Sequence, residues 1–152
     1  MSDIYTVQVK QLSDTATVPV RKSLDSAGLD LYADLGGDDK SVIIFPGTTL
    51  KIKTGLAMAL PQYTFGAIFA RSGLATNEGL RPANCVGVCD ADYRGEYIIP
   101  MYNDSDTERI ISHGERIAQL IILPYIPATF QLVEELDETE RGEGGFGSTG
   151  TN

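Results

Sequence analysis

Between residues 4 and 133 the chain alternates short β-favouring runs with clusters of Gly, Pro, Asn and Asp, at a repeat of roughly 8–12 residues. The runs cover residues 4–12, 26–33, Val42–Phe45, Thr48–Lys53, Leu56–Leu60, Thr64–Ala70, Tyr97–Tyr102, Arg109–Ser112, Arg116–Leu123 and Phe130–Val133. Each is too short for an independent helix, and only Arg71–Gly79 reads as a helical turn, with Ser72 placed to cap it. Nothing repeats strand, helix, strand, so a parallel sheet with crossover helices is excluded. What remains is an all-β sandwich, barrel or jelly roll.

A chain of 152 residues with an apolar fraction of 42% suits one domain with one core. No apolar run approaches the roughly 18 residues of a membrane span, and the opening Met-Ser-Asp-Ile-Tyr lacks the basic-then-apolar pattern of a signal peptide. The expected location is therefore the cytoplasm. A net charge of −9 argues against nucleic acid or a membrane surface as partner, because both are bound by clustered Lys and Arg. A small polyanion stays open, provided that arginines gather locally and a divalent cation assists. Cys85 and Cys89 fall on one face of a strand-like run and read as small core residues. His113, the only histidine, sits in a Ser-His-Gly-Glu turn, which leaves no base for a serine nucleophile. Carboxylate, arginine and metal are the remaining catalytic means.

The composition changes most sharply from Cys85 to Glu96, where a small apolar strand becomes the charged hairpin Asp90-Ala-Asp-Tyr-Arg-Gly95. Period-two spacing would put Asp90, Asp92 and Arg94 on one face of an extended chain. A solvated acidic turn has the same composition. After Val133 comes an acidic stretch, Glu134–Glu140, then Arg141-Gly-Glu-Gly-Gly-Phe-Gly-Ser-Thr-Gly150. That tail reads either as a disordered end or as a mobile arm carrying one arginine, one aromatic and two hydroxyls. Its formal G-x-G-x-x-G match follows no strand and precedes no helix, so it is not a dinucleotide fingerprint.

Five segments in order, Ala27-Gly-Leu-Asp-Leu31, Arg71-Ser-Gly-Leu74, Gly87–Glu96, Gly114-Glu-Arg-Ile-Ala-Gln119 and Arg141–Gly150, resemble the motifs of the homotrimeric deoxyuridine triphosphatases, or dUTPases. Cys89 stands where the family usually has an aliphatic residue and Ala70 where proline is frequent. The resemblance implies a jelly-roll-like β-clip barrel of short strands with one short helix. It divides the chain into an all-β domain over 1–133, an acidic linker over 134–140 and a flexible glycine-rich arm over 141–152. The implied reaction is hydrolysis of dUTP to dUMP and pyrophosphate, by in-line attack of water on the α-phosphorus with Mg²⁺ bound across the triphosphate.

On that resemblance Asp90 is the base and holds the sugar 3′-hydroxyl, Tyr93 packs under the deoxyribose, and Asn84 with the hairpin backbone reads uracil. Arg71, Ser72, Gly73 and Gln119 contact phosphate oxygens, Ser72 also stabilising the leaving pyrophosphate. Asp30 holds waters of the Mg²⁺ shell; Arg116, read instead from its place in the fourth motif, is structural, in an inter-subunit or core-edge ion pair. Arg141, Phe146, Gly147, Ser148 and Thr149 close over the nucleotide, Phe146 stacking on the base. The sites lie between subunits of a homotrimer. A dCTP deaminase shares this fold but lacks the arm motif, and a catalytically idle nucleotide sensor is the other alternative.

Overall fold

The computed structural model describes residues 5–84 and 86–145. Ten strands appear among them: β1 (Gln8–Gln11), β2 (Leu29–Tyr32), β3 (Ser41–Ile44), β4 (Thr49–Ala59), β5 (Thr64–Phe69), β6 (Leu80–Pro82), β7 (Gly87–Asp90), β8 (Glu96–Asn103), β9 (Arg109–Ser112) and β10 (Arg116–Pro124). They form two four-stranded sheets, β1-β4-β8-β6 and β2-β10-β5-β7, and a β3-β9 ribbon, with every pairing antiparallel. Period-two alternation makes this possible. In β8, Tyr97, Ile99, Met101 and Asn103 point inward, and they share one core with Leu31, Ile52, Ile68, Ile117 and Leu120 from both sheets. The all-β jelly-roll expectation holds.

Asn103 closes β8 as the polar member of its inward row. Its side chain is fully buried, with Nδ2 donating to the Ile44 and Thr107 carbonyls at 2.8 Å each.

Several local expectations are corrected. Thr48–Lys53 and Leu56–Leu60 are not separate strands but the single β4, broken in register between Lys53 and Ala57. Gly55, at φ 66°, supplies the positive φ that this bulge needs, and beyond it β4 pairs β1 as well as the end of β8. The helical turn is a π-turn over Leu74–Glu78 with Gly73 at its N-terminal boundary and no side-chain cap, so Ser72 does not cap it. The Ser72 carbonyl instead accepts from Thr76 Oγ1 at 2.6 Å. Phe130–Val133 is not a strand; Phe130 and Leu132 are fully exposed, and no strand among the described residues pairs with that segment. His113 does lie in a turn, closed by the Glu115 N–H onto the Ser112 carbonyl at 3.2 Å, but its side chain is 8% exposed and Nδ1 accepts the Leu35 N–H at 3.0 Å.

The segment around Asp90 also differs from a simple hairpin. β7 pairs β5 in one sheet and β8 pairs β4 in the other, so consecutive strands diverge instead of forming a ladder. β7 stops at Asp90, and the Tyr93 N–H closes a turn onto the Asp90 carbonyl at 3.1 Å. The extended period is lost there, and Asp92 and Arg94 do not continue a common face with Asp90. Arg94 Nη1 donates to the carbonyls of Ala91 (2.7 Å) and Tyr93 (2.9 Å).

Candidate active site

Where β7 and β8 part, a cavity of about 250 Å³ opens, lined by residues that include Asn84, Cys89, Asp90, Tyr93, Glu96 and Tyr97. Among the described residues β7 is an edge strand, and β6 with Ala83 covers β8 only from Pro100 onward, so backbone groups on both walls lack ladder partners there. The Tyr93 ring is fixed at the mouth by a hydrogen bond from Oη to the Glu96 carbonyl at 3.1 Å. Gly95 permits this, since a Cβ there would lie 2.6 Å from Tyr93 Cζ. The Glu96 side chain in turn accepts the Gly55 N–H at 2.9 Å, tying the cavity to the β4 bulge.

A second cleft, of about 470 Å³, holds Asp30, Arg71, Ser72, Gly73, Arg116 and Gln119, together with Lys22 and Ser26. Asp30 faces away from buried Leu31 because strand neighbours alternate. Its Oδ1 accepts from Arg71 Nε at 2.9 Å and its Oδ2 from Arg116 Nη1 at 3.1 Å. Arg71 Nη1 also reaches the Arg116 carbonyl at 3.2 Å, so the reading of Arg116 as a core-edge ion-pair residue agrees with its contacts. Gln119 sits beside Asp30 in the β2–β10 register and donates from Nε2 to the Ala70 carbonyl at 2.8 Å. Its Oε1 occupies the space that a side chain at Gly28 would need. Lys22, Arg71 and Arg116 against one carboxylate make this cleft cationic in an acidic chain.

The structure therefore sorts the expected residues into two groups. Asn84, Asp90 and Tyr93 share the first cavity; Asp30, Arg71, Ser72, Gly73 and Gln119 share the second. Asp90 is opposite Phe65 and Gln119 opposite Phe69, on strands that flank β5. Strand geometry puts the two about 13 Å apart along β5 and about 10 Å apart across it, roughly 16 Å in all. Arg141 is exposed and donates from Nε to the Gly144 carbonyl at 2.8 Å, outside both cavities. Phe146, Gly147, Ser148 and Thr149 lie outside the described residues, as does Cys85.

Sequence reasoning missed Tyr97, Glu96 and Cys89 as cavity residues, and Lys22 and Ser26 at the cationic cleft. The Arg21-Lys22 pair just before the Ala27-Gly28 motif was a usable signal for the cleft; nothing local marked Tyr97, which reads as an inward strand residue. Burial pushes the Cys89 thiol up, with the Asp90 charge adding to the shift and Tyr97 opposing it.

Among the described residues no group of three or more His, Cys, Asp and Glu side chains could cage a metal ion. Asp30 is the one carboxylate of the cationic cleft and both of its oxygens are paired with arginines, so any Mg²⁺ there would be held by substrate phosphates and reach Asp30 only through its waters. No helix among the described residues is long and apolar enough to cross a membrane.

A divided jelly roll with a nucleoside-sized cavity and a separate cationic cleft defines a nucleotide-binding class of protein, and the comparisons narrow it. The sequence model of the dUTPase family matches residues 14–150, and the chain belongs to that family. It is 46% identical over 145 residues to the deoxyuridine 5'-triphosphate nucleotidohydrolase of Syntrophotalea carbinolica, covering 95% of this chain and 97% of the relative. The same-named protein of Desulfitobacterium hafniense is 49% identical over 128 residues, 84% of this chain and 83% of that one. Among solved structures, a Staphylococcus bacteriophage 80alpha dUTPase with dUpNHpp matches with a TM-score of 0.85 at 31% identity, over 96% of this chain and 99% of that one. A phage phi11 dUTPase of S. aureus, described with a structural Mg(II) ion, matches with a TM-score of 0.77 at 25% identity, over 88% of this chain and 99% of that one.

Proposed function

We propose that this chain hydrolyses dUTP to dUMP and pyrophosphate, and that each active site is completed by more than one copy of it in a homotrimer. The cavity between the diverging strands β7 and β8 carries this reading, because it presents unladdered backbone and Asn84 beside a carboxylate at the lip. Backbone N–H and C=O groups cannot exchange donor for acceptor. A cytosine edge offered to groups set for uracil would leave buried polar atoms unpaired, at about 1–3 kcal/mol each. The Tyr93 ring packs under the deoxyribose, where a ribose 2′-hydroxyl would collide.

Asp90 accepts the proton of the attacking water as its oxygen bonds to the α-phosphorus; the α-phosphorus–oxygen bond to the β-phosphate breaks, and pyrophosphate leaves. Arg71, Gly73 and Gln119 hold phosphate oxygens, and Ser72, exposed and relieved of any capping duty, donates to the departing pyrophosphate. Two donors of Arg71 are engaged by Asp30 and the Arg116 carbonyl, which aims the rest of its fork outward. Asp30 would hold Mg²⁺ through the ion's waters, and the ion would supply positive charge against the triphosphate. Arg141, Phe146, Gly147, Ser148 and Thr149 form an arm that closes over the nucleotide and excludes water.

The roughly 16 Å between Asp90 and Gln119 supports sharing: the hairpin of one copy faces the cationic cleft of a neighbour, with closed symmetry repeating the arrangement. Pyrophosphate release from dUTP, UTP, dCTP and dTTP, with and without Mg²⁺, tests the activity. Release from dUTP alone, dependent on Mg²⁺, is expected; ammonia release from dCTP or no turnover at all would refute it. For the shared site, Asp90→Asn chains and chains ending at Glu140 are co-refolded. Mixed trimers should regain activity that neither parent has, and no rescue in mass-verified mixed trimers would place each site within one chain.

A further inference from the structure

Tyr97 is the second residue of β8 and is 1% exposed, yet its hydroxyl has no hydrogen-bond partner among the described residues. Buried hydroxyls in native proteins nearly always find a partner, because taking one from water without replacing its bond costs free energy. The packing does not require this oxygen. Tyr97 occupies the same inward register as Ile99 and Met101, where a purely apolar ring would fill the core equally well. Cys89 is close enough to influence the phenol, but no hydrogen bond of acceptable geometry joins them, and a thiol is a weak partner in any case.

The residue lines the cavity between β7 and β8, in company with Asn84, Asp90 and Tyr93. Its ring lies 6.1 Å from that of Tyr93, tilted by 52°, so it forms the wall behind the residue assigned to the deoxyribose. At about 250 Å³ the cavity has room for a ligand group or a water, whose share of liquid volume is about 30 Å³. Burial, then the neighbouring Cys89 and Tyr93, push the phenol above its ordinary range, against a smaller opposing effect of Arg94, so it stays an O–H donor at any physiological pH.

We propose that the Tyr97 hydroxyl is a substrate-positioning donor, which gives a hydrogen bond, directly or through one trapped water, to an oxygen of the pyrimidine nucleoside seated in this cavity. The inference rests on the nucleotide reading above and deepens it: an orphan donor in the free protein becomes a satisfied one in the complex. Its loss would therefore act in opposite directions on the two states. The free fold would lose an unpaired polar group, and the complex would lose a bond. Because the contact is to the nucleoside and not to the reacting phosphorus, it is made equally in ground and transition states.

The test is Tyr97→Phe in the full chain, with calorimetric Kd for a non-hydrolysable dUTP analogue, kcat and KM for dUTP, and melting temperature without ligand. Kd and KM should rise about tenfold, kcat should stay within twofold, and the unliganded Tm should be equal to or above that of the unsubstituted chain. A Kd within twofold of the parent would overturn the proposal. A fall in unliganded Tm would also overturn it, since it would reveal a partner for the hydroxyl in the free protein. A parent chain that hydrolyses dUTP while the variant binds unchanged refutes only the role of Tyr97; a parent that neither binds nor hydrolyses dUTP refutes the activity and this inference together.

Discussion

Replacing Asp30 with Asn removes one charge from a site where two guanidinium groups converge. The carboxylate gives one oxygen to Arg71 Nε at 2.9 Å and the other to Arg116 Nη1 at 3.1 Å. An asparagine offers one acceptor oxygen and turns an N–H₂ toward the second arginine. The magnitude follows from burial: the Asp30 side chain is 14% exposed, Arg71 26% and Arg116 35%. Exposed pairs contribute about 0.2–1 kcal/mol, and breaking a fully buried pair costs about 3–5, so a half-buried fork should cost about 2 kcal/mol. For a chain of 152 residues that is a Tm fall of about 4–8 °C by differential scanning calorimetry. With its brace gone, Arg71 loses its aim at the phosphates, and a displacement on the order of 1 Å at such a group costs about 100-fold in kcat/KM. A double-mutant cycle with Arg116→Gln isolates the pair and should give a coupling of about 1 kcal/mol. A Tm shift under 1 °C with zero coupling would refute the energetic argument. An 8 °C fall with unchanged kcat/KM would make Asp30 purely structural.

Two further outcomes follow from single contacts. Gly95→Ala should force the Tyr93 ring off its bond to the Glu96 carbonyl, because the added carbon would sit 2.6 Å from Cζ; the KM for dUTP should rise at least tenfold, with Tm lowered by only a few degrees, on the order of 1 kcal/mol. Burial pushes the Asp34 carboxyl up, but hydrogen bonds from Thr15, Ser13 and the Gly36 N–H, with the nearby His113, outweigh it and hold the group below 3.8. A depressed carboxylate contributes stability above its unfolded value and loses it as pH falls through the folded one. Asp34→Asn should thus lower Tm at pH 7, by the equivalent of about 1–3 kcal/mol, and the gap to the parent should close below pH 3.8 in thermal melts.

Much of the fold was legible because period-two burial is a local property. β5, β8 and β10 lie close to where the apolar runs put them. What failed was decided by long-range pairing. β4 runs through Gly55 because the Glu96 carboxylate and the Leu12 N–H hold both sides of the bulge. β6 is three residues ending in proline, too short to signal, and exists because β8 offers it an edge. The divergence of β7 and β8, which creates the cavity, cannot be read from the turn that joins them. In the candidate site the residue types were legible and their grouping was not. Asp30 meets Arg71 from 41 residues away and Arg116 from 86.

On the proposed mechanism, that grouping keeps the carboxylate base and the phosphate-binding arginines apart within one chain. Asp30 shows the fate of a carboxylate placed beside Arg71 and Arg116: each oxygen takes a guanidinium. A general base turns a free lone pair on its water, whereas in this fork one lone pair of each oxygen is already committed to a guanidinium. Asp90 is kept at the opposite corner of the sheet, and the one arginine near it in sequence, Arg94, spends its Nη1 on the Ala91 and Tyr93 carbonyls instead. On the proposed mechanism the arginines of the cleft approach Asp90 only across an interface between copies, with the triphosphate between them. The cations then meet phosphate oxygens before they can meet the base. On that mechanism an acidic chain of net charge −9 brings a cationic pocket and a carboxylate base into one site without placing them side by side in a single subunit.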